Sequence, residues 1–448
     1  MRAIRFGLLG SLACGWVFAV AVIGQPQPAT APAVPASVQI DSWLAQLSSD
    51  DGPQRQRAQD RLVEWGARSA DIEPRLRKLL RETQDEEAAA RARSALRLIA
   101  ENRLTGPTPI ALHLEKVEAS DAFQQLSRQL GHDISPDPPE LWRNKSWPRV
   151  TLAADGAPFW EVFQHLCRQV GVEPDFSDNG RFKFVSSDDG KWARNPSLAV
   201  GPLLVHAVRI TRTRTVELAD PAVTEQSCQL TVNAYVEPKV RILAEGCAMT
   251  LESAVDEQGQ SLLSDDADDP AFNMVANNAR QWEAEVDLTF PAHVGRKIAR
   301  LKGTIFLQIP ERIQTLEVPD ILAVTELRRT VGGRRVLIHK AAKVQGGYEV
   351  DVTLFRDSLS DEDWQRCQTP GDLVRLVDAK GLPILFNNVT DNEGDEKQVR
   401  LKLQFENPNN LPNGGSGPVG PPARLIWEIP LERREISVPF EFRDLPLP

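Results

Sequence analysis

The sequence predicts a multidomain α+β chain: a short helical segment, a duplicated β-α-β domain, then two tandem antiparallel β-sandwich modules. Three observations predict it. Apolar residues recur at helical spacing between residues 39 and 103. A nine-residue block repeats at an offset of 40 within 108–188. From 197 to 446 the period changes to two, and a longer pattern repeats at an offset near 120.

Composition sets the frame. The 448 residues suffice for about two to four domains. The chain is 41% hydrophobic and 25% charged, near the averages for folded globular proteins, so it can bury real cores. Acidic residues number 62 and basic residues 52, a net charge of −10. A nucleic-acid partner would need a basic face to neutralise phosphates, and docking on anionic lipid would need one too. Only one apolar run is long, and it lies at the N-terminus, which excludes several membrane spans.

Residues 1–24 read as an export signal. Arg2 and Arg5 precede the uncharged run Phe6 to Ile23, and Val22 and Gly24 occupy the small-residue positions of a cleavage site. Either the signal is removed, leaving a periplasmic or extracellular protein, or it stays as an N-terminal anchor, the one membrane contact the sequence implies. Cys14 does not read as a lipid-modified cysteine, because Ser11 stands where a Leu is needed. Residues 25–38 are rich in Pro and Ala and read as an extended linker.

In the helical segment, 39–103, Ile40, Trp43, Leu44 and Leu47 make one apolar stripe. Ala58, Leu62 and Trp65 mark a second helix, with Gly66 as its predicted C-terminal cap. Ile72, Leu76, Leu79 and Leu80 mark a third, and Ala88, Ala92, Ala95, Leu96 and Ile99 a fourth. The two helix pairs resemble HEAT-type units.

In the next segment, Phe123-Gln124-x-Leu126-x-Arg128-Gln129-x-Gly131 lies on Phe163-Gln164-x-Leu166-x-Arg168-Gln169-x-Gly171. Each helix follows an extended run, Ile110 to Leu114 and Val150 to Leu152, and ends at a Gly suited to a left-handed cap. Further extended runs follow, with Asn179-Gly180 as a hairpin turn before Phe182 to Val185. The expected plan is β-α-β twice, with both helices on one face of a small sheet. Ala122, Leu126, Gln129 and Gly131 resemble the motif of the short N-terminal domain of secretins and TonB-dependent receptors, covering 108–188. The resemblance implies a protein-interaction module of the bacterial envelope without catalysis of its own. No stretch reads as a secretin pore segment or a receptor barrel, so it implies binding and not a pore.

The β-modules, about 197–321 and 322–446, repeat several elements in the same order. Cys228 to Ala234 lies on Tyr348 to Leu354, and Val255-Asp256-x-x-Gly259 on Val377-Asp378-x-x-Gly381. Ile309-Pro310 lies on Ile429-Pro430, and Val318-Pro319 on Val438-Pro439. The length of each copy and its alternation resemble immunoglobulin-like β-sandwiches. The V-D-x-x-G element reads as a turn, its Asp bonding nearby backbone and its Gly supplying positive φ.

Little in the sequence points to chemistry. No two of the six histidines have metal-ligand spacing, and no phosphate loop, dinucleotide fingerprint or nucleophile elbow occurs. The acidic run Asp265, Asp266, Asp268 and Asp269 is the one weak metal candidate, and a solvated loop accounts for it as well, since its spacing is not that of a calcium loop. Cys228 and Cys247 either form a bridge or remain buried thiols. Arg209, Arg212 and Arg214 form a small basic stripe at a strand. The sequence therefore implies no cofactor and no enzyme. It implies an exported protein that binds or scaffolds another envelope or secreted protein, with strand addition at a sheet edge as the mode. The alternative is a carbohydrate-binding or carbohydrate-active β-sandwich with Trp282, Trp364 and Trp427 as its platform.

Overall fold

The computed structural model describes residues 37–448 apart from 67–68, 70, 144–145, 177–181, 188–189, 217, 220–223, 244–245, 264–279, 292–293, 358, 369, 371–372 and 407–418. The signal segment and most of the linker lie outside the described residues. So do the Asn179-Gly180 turn and the glycine-rich stretch 414–417. The described chain is mixed α+β, with mostly antiparallel sheets.

Four helices open it: α1 (Ser37–Gln46), α2 (Gly52–Gly66), α3 (Ile72–Glu82) and α4 (Glu86–Thr105). Their apolar stripes meet in one core of Ile40, Leu47, Leu62, Trp65, Leu76 and Ile99 with a run of small alanines from α4. Asp85 caps α4 by accepting from the backbone N–H groups of Glu87 and Ala88. Gly66 corrects the sequence reading. Its φ is not positive, so it is no left-handed cap. A side chain there would collide with Ile99, whose Cγ1 lies 2.3 Å from the position of a Cβ. Close approach of α2 to α4 is what requires the glycine.

The duplicated segment contains β1 (Pro109–Val117), α5 (Ala119–Leu130), β2 (Ile134–Pro136), β3 (Val150–Pro158), α6 (Phe159–Val170), β4 (Val172–Asp175), β5 (Phe182–Ser186) and α7 (Lys191–Arg194). It forms two sheets where the sequence suggested one. The first strands of the two copies pair with each other, Ile110 facing Ala157 and Leu114 facing Leu152. The later strands gather separately in the order β2-β5-β4. Both sheets and both helices feed one aromatic core, with Phe123 stacked on Phe184 at 4.5 Å and Phe163 edge-on to Phe182 at 5.1 Å. The helix-ending glycines are left-handed as expected, Gly131 at φ 69° and Gly171 at φ 79°.

The remaining strands of the first β-module are β6 (Ser197–Val200), β7 (Leu203–Val216), β8 (Thr224–Val236), β9 (Cys247–Asp256), β10 (Gln281–Leu288) and β11 (Lys297–Pro319). The second module holds β12 (Thr325–Val331), β13 (Arg334–Val344), β14 (Gly347–Phe355), α8 (Asp361–Cys367), β15 (Val374–Asp378), β16 (Pro383–Gly394), β17 (Gln398–Glu406) and β18 (Pro422–Pro446). The duplication extends to strand order and register. Sheet order β6-β7-β8-β10 matches β12-β13-β14-β17. A bulge falls between Ala207 and Arg209 in β7 and, at the equivalent place in β13, between Ile338 and Lys340.

The V-D-x-x-G turns are the same in both copies. Asp256 Oδ1 accepts from the N–H groups of Gln258 and Gln260 at 2.8 Å each, and Oδ2 from that of Gly295 at 2.7 Å. Asp378 repeats this with Lys380, Leu382 and Gly420 at 2.8, 2.8 and 3.0 Å. Gly259 and Gly381 supply φ of 85° and 86°. Burial works against the ionised form of Asp256, but the donated N–H bonds outweigh it and hold the pKa below the usual carboxylate value. At Asp378 the Gly420 N–H contributes most to the same lowering. The sequence revealed the local bonds. The third bond, to a loop about 40 residues away, has no local signature.

The two modules are not separate in packing. β11 and β18 pair antiparallel along their length, from Lys297 opposite Pro446 to Pro319 opposite Arg424. Ile309 pairs with Arg434, and the same relation with the copies exchanged pairs Ile429 with Gln314. An approximate two-fold axis thus passes between the strands near residues 311–312. The consequence is an exchange of strand ends. The first core, around Leu230, Val232 and Leu301, takes Ile436, Val438, Phe440, Phe442 and Leu445 from β18. The second, around Val350, Val352 and Leu401, takes Leu316 and Val318 from β11. The boundary at 321/322 is therefore a boundary in sequence and not in packing.

Candidate functional site

Asp265, Asp266, Asp268 and Asp269 lie outside the described residues. Among the described residues no group of three or more His, Cys, Asp or Glu could hold a metal ion. The histidines are scattered: His113 meets exposed Asp155 at 2.9 Å, His165 is exposed, and His339 bridges Glu326 and Thr353 at 2.7 and 2.9 Å. Cys167, Cys228, Cys247 and Cys367 are all free thiols, which settles the alternative left open for Cys228 and Cys247. Burial pushes the Cys247 thiol up to about 12 and raises the other three, so none is poised as a thiolate. Trp282, Trp364 and Trp427 are buried at 4, 6 and 5% exposure, so they form no platform for a sugar ring.

Among the described residues there is a cavity with apolar walls. It lies at the end of the second core, between Phe355, Trp364, Cys367 and Trp427, with Arg334 at its side, and holds about 40 Å³. That is room for a few waters, against roughly 300 Å³ or more for a small-molecule pocket. A larger groove on α3, about 470 Å³ beside Arg77, Arg81 and Arg103, is open, and Glu73 pairs with Arg77 and Arg103 within it.

The best-built polar arrangement joins the α/β part to the first β-module. Glu237, fully buried, accepts from the Thr108 N–H at 3.0 Å and from Lys239 at 3.2 Å, fixing the start of β1. Gln164 of α6 bonds Ser197 at 3.0 Å and His206 of β7 at 3.2 Å. The His206 ring lies 5.0 Å from Trp192 and 5.1 Å from Tyr235. Sequence reasoning placed His206 at a strand and missed the junction, because neither His206 nor Glu237 belongs to a motif. The acid within the apolar run Ala234 to Val240 was the available signal. On the second module the matching face carries ion pairs instead: buried Asp351 holds Arg400 through two bonds at 2.8 and 2.7 Å, and Lys402 pairs with Asp391 at 2.6 Å. The copies have diverged, one into a docking face for the chain's own α/β part and the other into a set of ion pairs around buried Asp351.

Sheet edges remain as surfaces for a partner, and they differ. The repeated Gln closes both outer edges of the β1–β3 sheet. Gln129 accepts from the Ala111 N–H at 3.0 Å and donates to its carbonyl. Gln169 does the same to Thr151, at 3.3 and 3.0 Å. Edge groups satisfied this way are not offered to another chain. Replacing Gln129 and Gln169 with Ala is expected to cost about 1 kcal/mol each and to raise self-association. Sedimentation and thermal melts would check both; unchanged monomer content in the double variant would deny the edge-closing role.

The edge of β7 is different. β6 covers it only from Leu203 to His206, while β8 lines its other side as far as Val216 opposite Thr224. β10 stops at Leu288 opposite Cys228, so the last turn of the hairpin leaves the sheet as a two-stranded ribbon. Val208 to Val216 are exposed, except half-buried Ile210. Arg212 bonds Gln226 at 3.3 Å and lies 3.8 Å over the Phe290 ring. Among the described side chains, Arg209 and Arg214 have no acidic partner. No family model, no curated protein and no solved structure matches this chain, so its function has to be argued from these surfaces.

Proposed function

We propose that this is an exported, non-enzymatic envelope protein that binds or scaffolds another envelope or secreted protein. In this reading 39–103 is a HEAT-like support and 108–188 a domain of the secretin short N-terminal type. Two immunoglobulin-like β-sandwich modules follow, sharing their long strands. The observation that carries the reading is the open, strand-forming edge of β7 on a chain whose described apolar cavity is too small for a substrate. The export signal of residues 1–24 puts the binding in the periplasm or outside the cell.

The test is photocrosslinking in the native host, with a crosslinker at exposed Thr213 of β7 or at half-buried Glu349 of the second module, followed by capture and mass spectrometry. One dominant envelope or secreted protein is the expected product. Crosslinks only to the chain itself, from both positions, would sink the proposal.

A further inference from the structure

We infer that the free edge of β7 from Val208 to Val216 takes an extended acidic segment of the partner protein as an added strand. This rests on the protein-binding reading and names the surface and the partner chemistry.

The edge is long enough. Nine residues in extended conformation span about 30 Å, and backbone groups along such an edge pair equally well with any added strand. Its residues favour strand structure: Thr211, Thr213 and Thr215 alternate with Arg212, Arg214 and Val216, and no proline interrupts them. The device that closes the edges of the β1–β3 sheet is missing here. Among the described residues no glutamine clamps the backbone as Gln129 and Gln169 do, and the bulge at Ala207/Arg209 lies at the inner end, leaving the outer stretch regular. Apolar exposure concentrates in the same place. Of the five large apolar side chains exposed among the described residues, Val208, Val216 and Leu218 lie on or beside this strand, at 37, 41 and 92% exposure.

Charge selects the occupant. Arg209, Arg212 and Arg214 bring three positive charges within six residues of a chain whose net charge is −10. A second copy of β7 pairing here would set arginines against arginines, which is unfavourable directly across a strand pair. Arg212 and Arg214 share one face of the strand and Arg209 lies on the other, so an extended segment with Asp or Glu at alternate positions would meet Arg212 and Arg214 with the opposite sign. Such complementarity speeds association and rejects other partners.

The experiment uses the full chain and two blocked ten-residue peptides, Glu-Val-Glu-Thr-Glu-Val-Glu-Thr-Glu-Val and its counterpart with Lys at every Glu. Fluorescence anisotropy measures binding, and hydrogen exchange locates it. The acidic peptide is expected to bind at least tenfold more tightly than the basic one and to slow exchange across 208–216. Arg212→Glu with Arg214→Glu should reverse the preference. Arg214→Glu alone, out on the two-stranded ribbon, should weaken the acidic peptide several-fold without disturbing the core. No binding, equal binding of both peptides, or protection only outside 208–216 would overturn the inference. If the peptides fail while crosslinking from Glu349 still yields a partner, this edge is wrong and the protein-binding reading stands. If the acidic peptide protects 208–216 but crosslinking yields no partner, the edge stands and that reading falls.

Discussion

A chain ending at Leu431 is expected to lose the first β-module and keep the second. The deletion removes residues 432–448, which belong by sequence to the second copy. Yet Ile436, Val438, Phe440, Phe442 and Leu445 are each 3–5% exposed and sit in the first core. Five apolar side chains at about 1.5–3 kcal/mol each give roughly 8–15 kcal/mol, as much as the whole stability of an ordinary domain. The edge of β11 from Lys297 to Pro310 would also lose its β18 partner. Gly303 shows how closely the two strands fit there, since a Cβ on it would come within 2.7 Å of the Phe440 ring. The second core keeps Leu425, Trp427 and Ile429, which precede the cut and still pair with β11 between Gln314 and Val318. Hydrogen exchange should therefore accelerate in β8, β9 and β10, while β14 and β17 stay protected. Faster exchange confined to β12–β17 would refute the exchange of strand ends.

The sequence could not have revealed that exchange. Alternation along Ile305, Leu307 and Ile309 specifies a buried face, and the same alternation in β18 specifies another. Neither says which module's sheet lies opposite, and Ile309-Pro310 and Ile429-Pro430 look alike under either arrangement. Features set by a few neighbouring residues were legible. Gly131 and Gly171 end their helices in the left-handed region, and both V-D-x-x-G turns form as their spacing implies. The repeated glutamines were visible as a repeat, but their role was not, because it depends on a backbone position 18 residues earlier. The basic stripe was legible too. That it lies on an uncovered edge follows from β6 being only four residues long, and no local pattern announces this. The junction was the least legible part, since Gln164 reaches a strand 42 residues further on.

That junction should make the protein sensitive to mild acid. His206 has no exposed surface, and burial, aided by the charge of Arg168, lowers its pKa from 6.5 to about 4. Gln164 donates its amide N–H to Nε2, so the neutral ring carries its proton on Nδ1, and a second proton on Nε2 would be buried against that donor with no acceptor to meet it. The unfolded chain takes up that proton near pH 6.5, whereas the folded chain resists it until about pH 4. Between these values the unfolded state binds more protons, so stability rises with pH. The contribution is complete above pH 6.5, declines steadily on acidification, and is gone below about pH 4. A shift of this size corresponds to about 3 kcal/mol in total. His206→Gln, which keeps a polar group opposite Gln164 but cannot titrate, should flatten the dependence of melting temperature on pH between 6.5 and 5, a range in which ordinary carboxylates change little. The wild-type loss should begin at the contact of α6 and α7 with β7, because Gln164, Trp192 and Tyr235 surround the ring there. Exchange of the β6–β7 amides would report it before β14 responds. Parallel pH curves for the two proteins would mean that the buried imidazole carries none of this stability.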